Sequence, residues 1–296
     1  MTKIDFHADD YALSENSDND ILTLCKQGKL DSISVIPNLA IFDKAAKKFL
    51  AAKKSFPKEV KACVHLNVME GRCLADKDDL PDLVDKDGFF NVSWGNLFFA
   101  SMNPLKRKKI RSQLKVEILA QIKQTTRAGL CEEKALRVDS HQHPHMIPVF
   151  FDALTDALDE SGIKPEYIRN SQDPILCYMT APTLFKTYSL ANIIKCLILN
   201  HYSRKVRRWQ KMNGLKTNLL CGVFFSGRMD SERVKKVLPR FVKKCEKTDS
   251  DLEVLFHPGT MLESELTEEF TKPGFNKFHL SEDRSVERKS LESPQL

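Results

Sequence analysis

Apolar and polar positions alternate with a period of two at the start of the chain, where Ile4, Phe6 and Ala8 fall on one face of a strand and Asp5, His7 and Asp9 on the other. The alternation returns at 60–68, with Val60, Ala62, Val64 and Leu66 opposed to Lys61, Cys63, His65 and Asn67. It returns at 136–141, where Arg137, Asp139 and His141 share a face, and at 252–257, where Glu253, Leu255 and His257 do. Shorter strands are expected at 30–36, 167–169 and 219–225. Helical patterns separate them: 17–26 closed by Gly28, 42–54 stopped by Pro57, 109–128 capped by Gly129, 150–160 closed by Gly162, 180–211 interrupted at Pro182, and 231–244. Strands alternating with helices predict an α/β fold with a parallel sheet, and 296 residues suffice for one (β/α) barrel, which commonly takes roughly 250. One domain is expected over 1–296.

Four of these strands finish with a candidate ligand or proton donor: Asp9 and Asp10, His65, His141, and His257. In parallel α/β folds the carboxyl ends of strands converge on one face, so these distant positions are expected to form one site. Adjacent carboxylates repel and require a cation or a proton. One carboxylate with two imidazoles suits Zn²⁺, Mn²⁺, Fe²⁺, Ni²⁺ or Co²⁺ and suits Mg²⁺ less, because Mg²⁺ prefers oxygen. Magnesium and zinc are both carried forward as candidate ions. His143 and His145 would share the face of His141 only if the strand continued, and Pro144 and Pro148 argue that it stops. Both are read as orienting His141 or lining the pocket, with a swap of ligand role between His141 and His143 left open.

The segment 69–102 is expected to be irregular, a wall or lid carrying Phe89, Phe90, Trp94, Phe98 and Phe99, or an apolar plug under a loop. The net charge of +6 is mild, and the basic runs 106–109 and 204–208 read as solvated helix faces more readily than as phosphate tracks. Eight scattered cysteines without a C-x-x-C pair read as free thiols. No signal sequence or membrane span is recognised, so a cytoplasmic protein is expected, without nucleic-acid or membrane partners and with a homodimer as the candidate assembly.

The segments Ala8-Asp9-Asp10-Tyr11-Ala12-Leu13-Ser14, His65-Leu66-Asn67, Asp139-Ser140-His141-Gln142-His143-Pro144-His145 and His257-Pro258 resemble the YdjC-like carbohydrate deacetylases. Arg284, Glu287 and Leu291 resemble the closing pattern of that family, which keeps the tail within the domain. The resemblance implies an irregular TIM-like (β/α) barrel that removes N-acetyl groups from amino sugars or short oligosaccharides. It implies Asp10, His65 and His141 as ligands of a divalent metal and Asp9 as the catalytic base; by analogy with related deacetylases, His257 is the acid and Arg169 steers Asp9. Hydrolysis of another amide or ester, and non-catalytic metal binding, are the alternatives. Two positions depart from the family pattern: His7 replaces an asparagine, and Tyr11-Ala12 replaces Phe-Gly. Alanine enters positive φ at a cost glycine does not bear, so the geometry of this turn is open, and His7 is a further candidate for the site.

Overall fold

The computed structural model describes residues 2–179 and 181–293. Seven strands form one sheet: β1 (Ile4–Tyr11), β2 (Ser32–Val35), β3 (Lys61–Leu66), β4 (Leu136–Ser140), β5 (Pro165–Ile168), β6 (Asn218–Cys221) and β7 (Asp251–Phe256). Every pairing is parallel and the order is β5-β4-β3-β2-β1-β7-β6. The expected barrel is therefore realised as a curled sheet that does not close. Its edges β5 and β6 meet through single contacts instead of a ladder: Leu220 N–H donates to the Gln172 carbonyl at 2.8 Å, and Asn170 N–H donates to Asn218 Oδ1 at 3.0 Å.

The helices are α1 (Glu15–Lys26), α2 (Phe42–Lys53), α3 (Trp94–Met102), α4 (Pro104–Arg127), α5 (Pro148–Ser161), α6 (Ile175–Tyr178), α7 (Leu190–Met212), α8 (Ser231–Thr248), α9 (Pro273–His279) and α10 (Asp283–Glu292). The segment 69–102 is less irregular than its sequence suggests. Ser93 caps α3 by accepting from Asn96 N–H at 3.1 Å while the Asn96 side chain accepts from Ser93 N–H, also at 3.1 Å. Asn103 caps α4, and Pro104 fits its first turn, so that helix begins before position 109. β6 stops at Cys221, short of the expected 225; the next residue, Gly222, has φ 150°, and a Cβ there would lie 2.7 Å from the Leu255 carbonyl, so glycine is required at this close approach. The expected helix at 180–211 becomes a 3₁₀ turn over Pro182–Thr187 followed by α7, and Thr180 lies outside the described residues.

Apolar strand positions such as Ile33, Val64 and Val138 pack outward into the main core with Ile21, Phe49 and Phe150. The opposite positions fill the sheet's concave side with polar groups: Asp5, His7, Ser32, Ser34, His65, Asp139, Arg169 and Glu253 are all buried. They survive burial because most of their polar atoms bond one another. His7 meets Ser32 Oγ at 2.6 Å and Ser34 Oγ at 2.7 Å, and Ser34 donates to Asp139.

The basic runs behave as helix faces. Lys109 pairs with Asp82 at 2.8 Å, Arg107 and Lys205 both pair with Asp152, and Trp209 packs edge-on against Phe151 with ring centroids 6.1 Å apart. No helix among the described residues is long and apolar enough to cross a membrane.

Candidate active site

Strict alternation would send Asp9 and Asp10 to opposite faces of β1. The pairing of β1 with β2 instead slips by one residue between Ala8 and Tyr11, and Asp10 takes φ 68°. An extra residue in one strand re-aims the side chains beside it. Both carboxylates consequently face His65, whose Nε2 lies 3.5 Å from Asp10 Oδ1 and 3.8 Å from Asp9 Oδ2. Ala12 also takes φ 68°, so the left-handed turn forms without the glycine. It is held by Ala12 N–H donating to Asp18 Oδ1 at 2.7 Å and by the Tyr11 hydroxyl donating to the Ala45 carbonyl at 2.9 Å.

His65 and Asp139 are neighbours across β3 and β4, and His65 Nδ1 meets Asp139 Oδ1 at 2.6 Å. That bond fixes the ring and leaves Nε2 facing the two aspartates. β4 ends at Ser140, and His141 turns to bring Nδ1 within 2.9 Å of Asp10 Oδ1. Its Nε2 lies 3.2 Å from Glu70 Oε2, which also meets His279 Nε2 at 2.9 Å. Asp10 Oδ2 accepts from Arg284 Nη1 at 2.9 Å, which ties α10 to the centre of the site. Arg169 grips Asp9 through two bonds of 2.7 and 3.0 Å, and its Nη2 lies 2.7 Å from Asp139 and from Glu253 as well.

Asp10, His65 and His141 each offer one ligand atom, and these atoms lie within 4.8 Å of one another. His65 Nε2 is buried with no hydrogen-bond partner, although it sits between two carboxylates. Burial alone would raise the Asp10 carboxyl and lower both imidazoles. The mutual charges prevail: His141, His65 and Arg284 hold Asp10 well below the ordinary carboxylate range. Asp9 and Asp139 lift His65 to about 10, and Asp10 and Glu70 lift His141 to about 9. The pocket thus calls for positive charge at the place where a carboxylate oxygen and two imidazole nitrogens converge, which is a donor set that fits a divalent ion.

The other expected site residues divide. Arg169 does grip Asp9, and it overcomes the cost of burial so that Asp9 also stays well below the usual range. His257 Nε2 lies 4.0 Å from Asp9 Oδ2, while its backbone N–H donates to Glu287. His7 joins from beneath, with Nε2 3.0 Å from Asp9 Oδ1. His143 and His145 do not orient His141. Gln142 and His143 take φ 65° and 64°, which turns the chain away, and His143 bonds Ser171 at 3.0 Å while His145 reaches the Arg169 carbonyl at 3.0 Å. Glu70 orients His141 instead.

Sequence reasoning passed over Asp139, Glu70, Glu253 and His279. For Asp139 the signal was present, since it lies two residues before His141 on the same strand face. For Glu70 and His279 no periodicity pointed inward.

Comparison with known proteins shows the family and the fold. Carbohydrate deacetylases of Mus musculus and Homo sapiens are each 23% identical to the chain over 256 residues, which span 85% of it and 76% and 73% of the relatives. The crystal structure of a candidate cellobiose-phosphate cleavage protein from Enterococcus faecalis is similar in fold, with a TM-score of 0.61 at 15% identity over 98% of this chain and 93% of that one. A family model described as YdjC-like protein matches residues 3–296. With a match across nearly its whole length, the chain belongs to the YdjC-like protein family.

Proposed function

We propose that this chain is a metal-dependent hydrolase that removes N-acetyl groups from amino sugars or short oligosaccharides, with Asp10, His65 and His141 as the ligands. The observation that carries the reading is the unpartnered His65 Nε2 beside Asp10, with its other nitrogen already committed to Asp139. When bound, a divalent ion supplies a Lewis acid that polarises an amide carbonyl and lowers the pKa of a water. The carbohydrate deacetylases among its relatives support the amide as the bond cleaved.

Asp9 is the base. Arg169 keeps it ionised and ready to accept a proton, yet also makes it a weak base. A weak base can deprotonate only an acidified water, so the role of Asp9 depends on the neighbouring ligand set. His257, with Nε2 4.0 Å from Asp9 Oδ2 and Glu287 holding its backbone, donates a proton to the departing amine. Glu70 and Asp139 orient the two imidazoles, which is the usual work of carboxylates behind metal-bound histidines.

Elemental analysis of the purified protein, coupled to acetate release from N-acetylglucosamine oligomers with and without chelator, tests the reading. Asp10→Ala should lose both metal and turnover, whereas Asp9→Asn should keep the metal and lose turnover. Full activity in a metal-free Asp10→Ala protein would overturn the assignment.

A further inference from the structure

Six large apolar side chains stand open to water where α3, α4 and α7 meet. Phe99, Met102 and Leu105, from the end of α3 and the start of α4, are 69%, 70% and 86% exposed. Leu190, Ile194 and Leu197, from the first half of α7, are 72%, 49% and 56% exposed. The two groups adjoin, because Phe98 packs edge-on against Tyr202 with ring centroids 6.1 Å apart. An apolar surface of this kind marks a contact with something other than water.

The exposed ridge of α7 does not stay apolar. Positions 190, 194, 197, 201, 204, 208 and 211 follow one another in steps of four and three, so they run along a single line roughly 30 Å long, and all are exposed. Its second half is Arg204, Arg208 and Lys211, whose side chains form no ion pair among the described residues. Lys106 and Lys108, beside Leu105, are likewise exposed and form none, whereas Arg107 and Lys205 are matched by Asp152.

This sequence of charge selects the occupant. A second copy packed antiparallel on the ridge would lay cations over apolar side chains, and one packed parallel would set cations against cations. An anionic bilayer accepts both halves: headgroup oxygens meet the cations, and the boundary beneath them takes the apolar side chains. The expectation of no membrane partner rested on the lack of a span, which such a contact does not need.

We infer that the face built from α3, the start of α4 and α7 docks on the surface of an anionic lipid bilayer. Ile194 also lines a cleft with Trp94 and Gln142, and Gln142 follows His141, so docking sets the mouth of the candidate active site beside the membrane. The inference stands independently of the reaction proposed above.

The test sediments the full chain with vesicles of phosphatidylcholine alone and of phosphatidylcholine mixed with phosphatidylglycerol. The mixed vesicles should bind at least about tenfold more tightly, and salt should weaken that binding. Leu190→Gln with Leu197→Gln should weaken it by about tenfold or more. Arg204→Gln with Arg208→Gln and Lys211→Gln should weaken it by about 100-fold, at roughly fivefold for each basic side chain near an anionic surface. Lys47→Gln with Lys53→Gln and Lys54→Gln removes the same charge at α2, between β2 and β3 and remote from α7, and should change binding by less than about threefold. All the substituted positions are exposed, and the lipid and salt dependence of the wild type needs no variant. No sedimentation with mixed vesicles at low salt, or equal loss in the α7 and α2 triple variants, would overturn the inference. So would a wild type that is dimeric by light scattering and becomes monomeric in the leucine variant, because the face would then belong to a second copy.

Discussion

At the amino-terminal mouth of the sheet, Lys61 pairs with Glu166 at 2.8 Å and Arg137 pairs with Asp5 at 3.1 Å while lying over the Tyr167 ring. At the carboxyl-terminal mouth the same sheet presents Asp9, Asp10, Asp139 and Glu253 to Arg169, Arg284, His7, His65 and His141, and His65 Nε2, which faces Asp9 and Asp10, is left without a hydrogen bond. Both ends arise from the same inward alternation on β1, β3 and β4. What differs is closure: one end pairs its charges between fixed ionic side chains, and at the other the balance rests on two imidazoles whose nitrogens can hold either a proton or a cation. Inward polar residues in a barrel therefore do not by themselves mark a site; an unmatched remainder does.

The most direct way to break this comparison lies at the closed end. Arg137→Met leaves Asp5 buried without its cation and should destabilise the protein by about 3–5 kcal/mol in chemical denaturation. Metal content at saturating ion should not change. A concurrent loss of metal would mean that the chain from Asp5 through Ser32, His7 and Ser34 to Asp139 couples the two mouths, and the contrast between them would fail.

At the open end, Asp139→Asn keeps the shape but removes the charge that orients His65. Metal affinity should fall by about 10–100-fold, read by competition with a chromophoric chelator, while the fold is retained. Unchanged affinity would show that Asp139 serves Arg169 alone.

The sequence made the skeleton of this contrast legible because strands advertise themselves by alternation. Asp9, His65, His141 and His257 were recognisable as strand-end residues from a period of two. The bulge that turns Asp10 toward His65 was not legible, since a register slip is settled by pairing with β2 and leaves no mark in composition. Nor was α3, where a local reciprocal cap at Ser93 and Asn96 outweighs a glycine and a run of bulky aromatics. Glu70 and His279 come from a loop and from a short late helix. Their meeting at His141 is a tertiary event, invisible to any local pattern.

A third test concerns the turn beneath the open mouth. Burial pushes the Asp18 carboxyl up to about 8, despite the bond it accepts from Ala12 N–H. Its proton is held more tightly in the folded chain than in the unfolded one. The folded state is therefore favoured most below the unfolded pKa near 4, and stability is lost as pH rises toward 8. Asp18→Asn keeps an acceptor for Ala12 and removes the titration. The two proteins should be equally stable near pH 4, and the variant should gain up to about 1.4 kcal/mol for each pH unit above that until the difference levels off near pH 8. Parallel stability curves across this range would show that Asp18 stays ionised.

The smallest effect belongs to Ala12. Its φ of 68° lies in the left-handed region, where a β-carbon crowds the backbone at a cost of about 1–2 kcal/mol. Glycine would remove that strain but adds freedom to the unfolded chain, worth about 0.4–1 kcal/mol in the other direction. The net expectation for Ala12→Gly is a gain of about 1 kcal/mol or less, seen as a small rise in denaturation midpoint with metal affinity unchanged. Loss of stability would mean that the buried methyl group packs too well against its surroundings to be given up, and that the turn carrying Asp10 has been refitted around alanine.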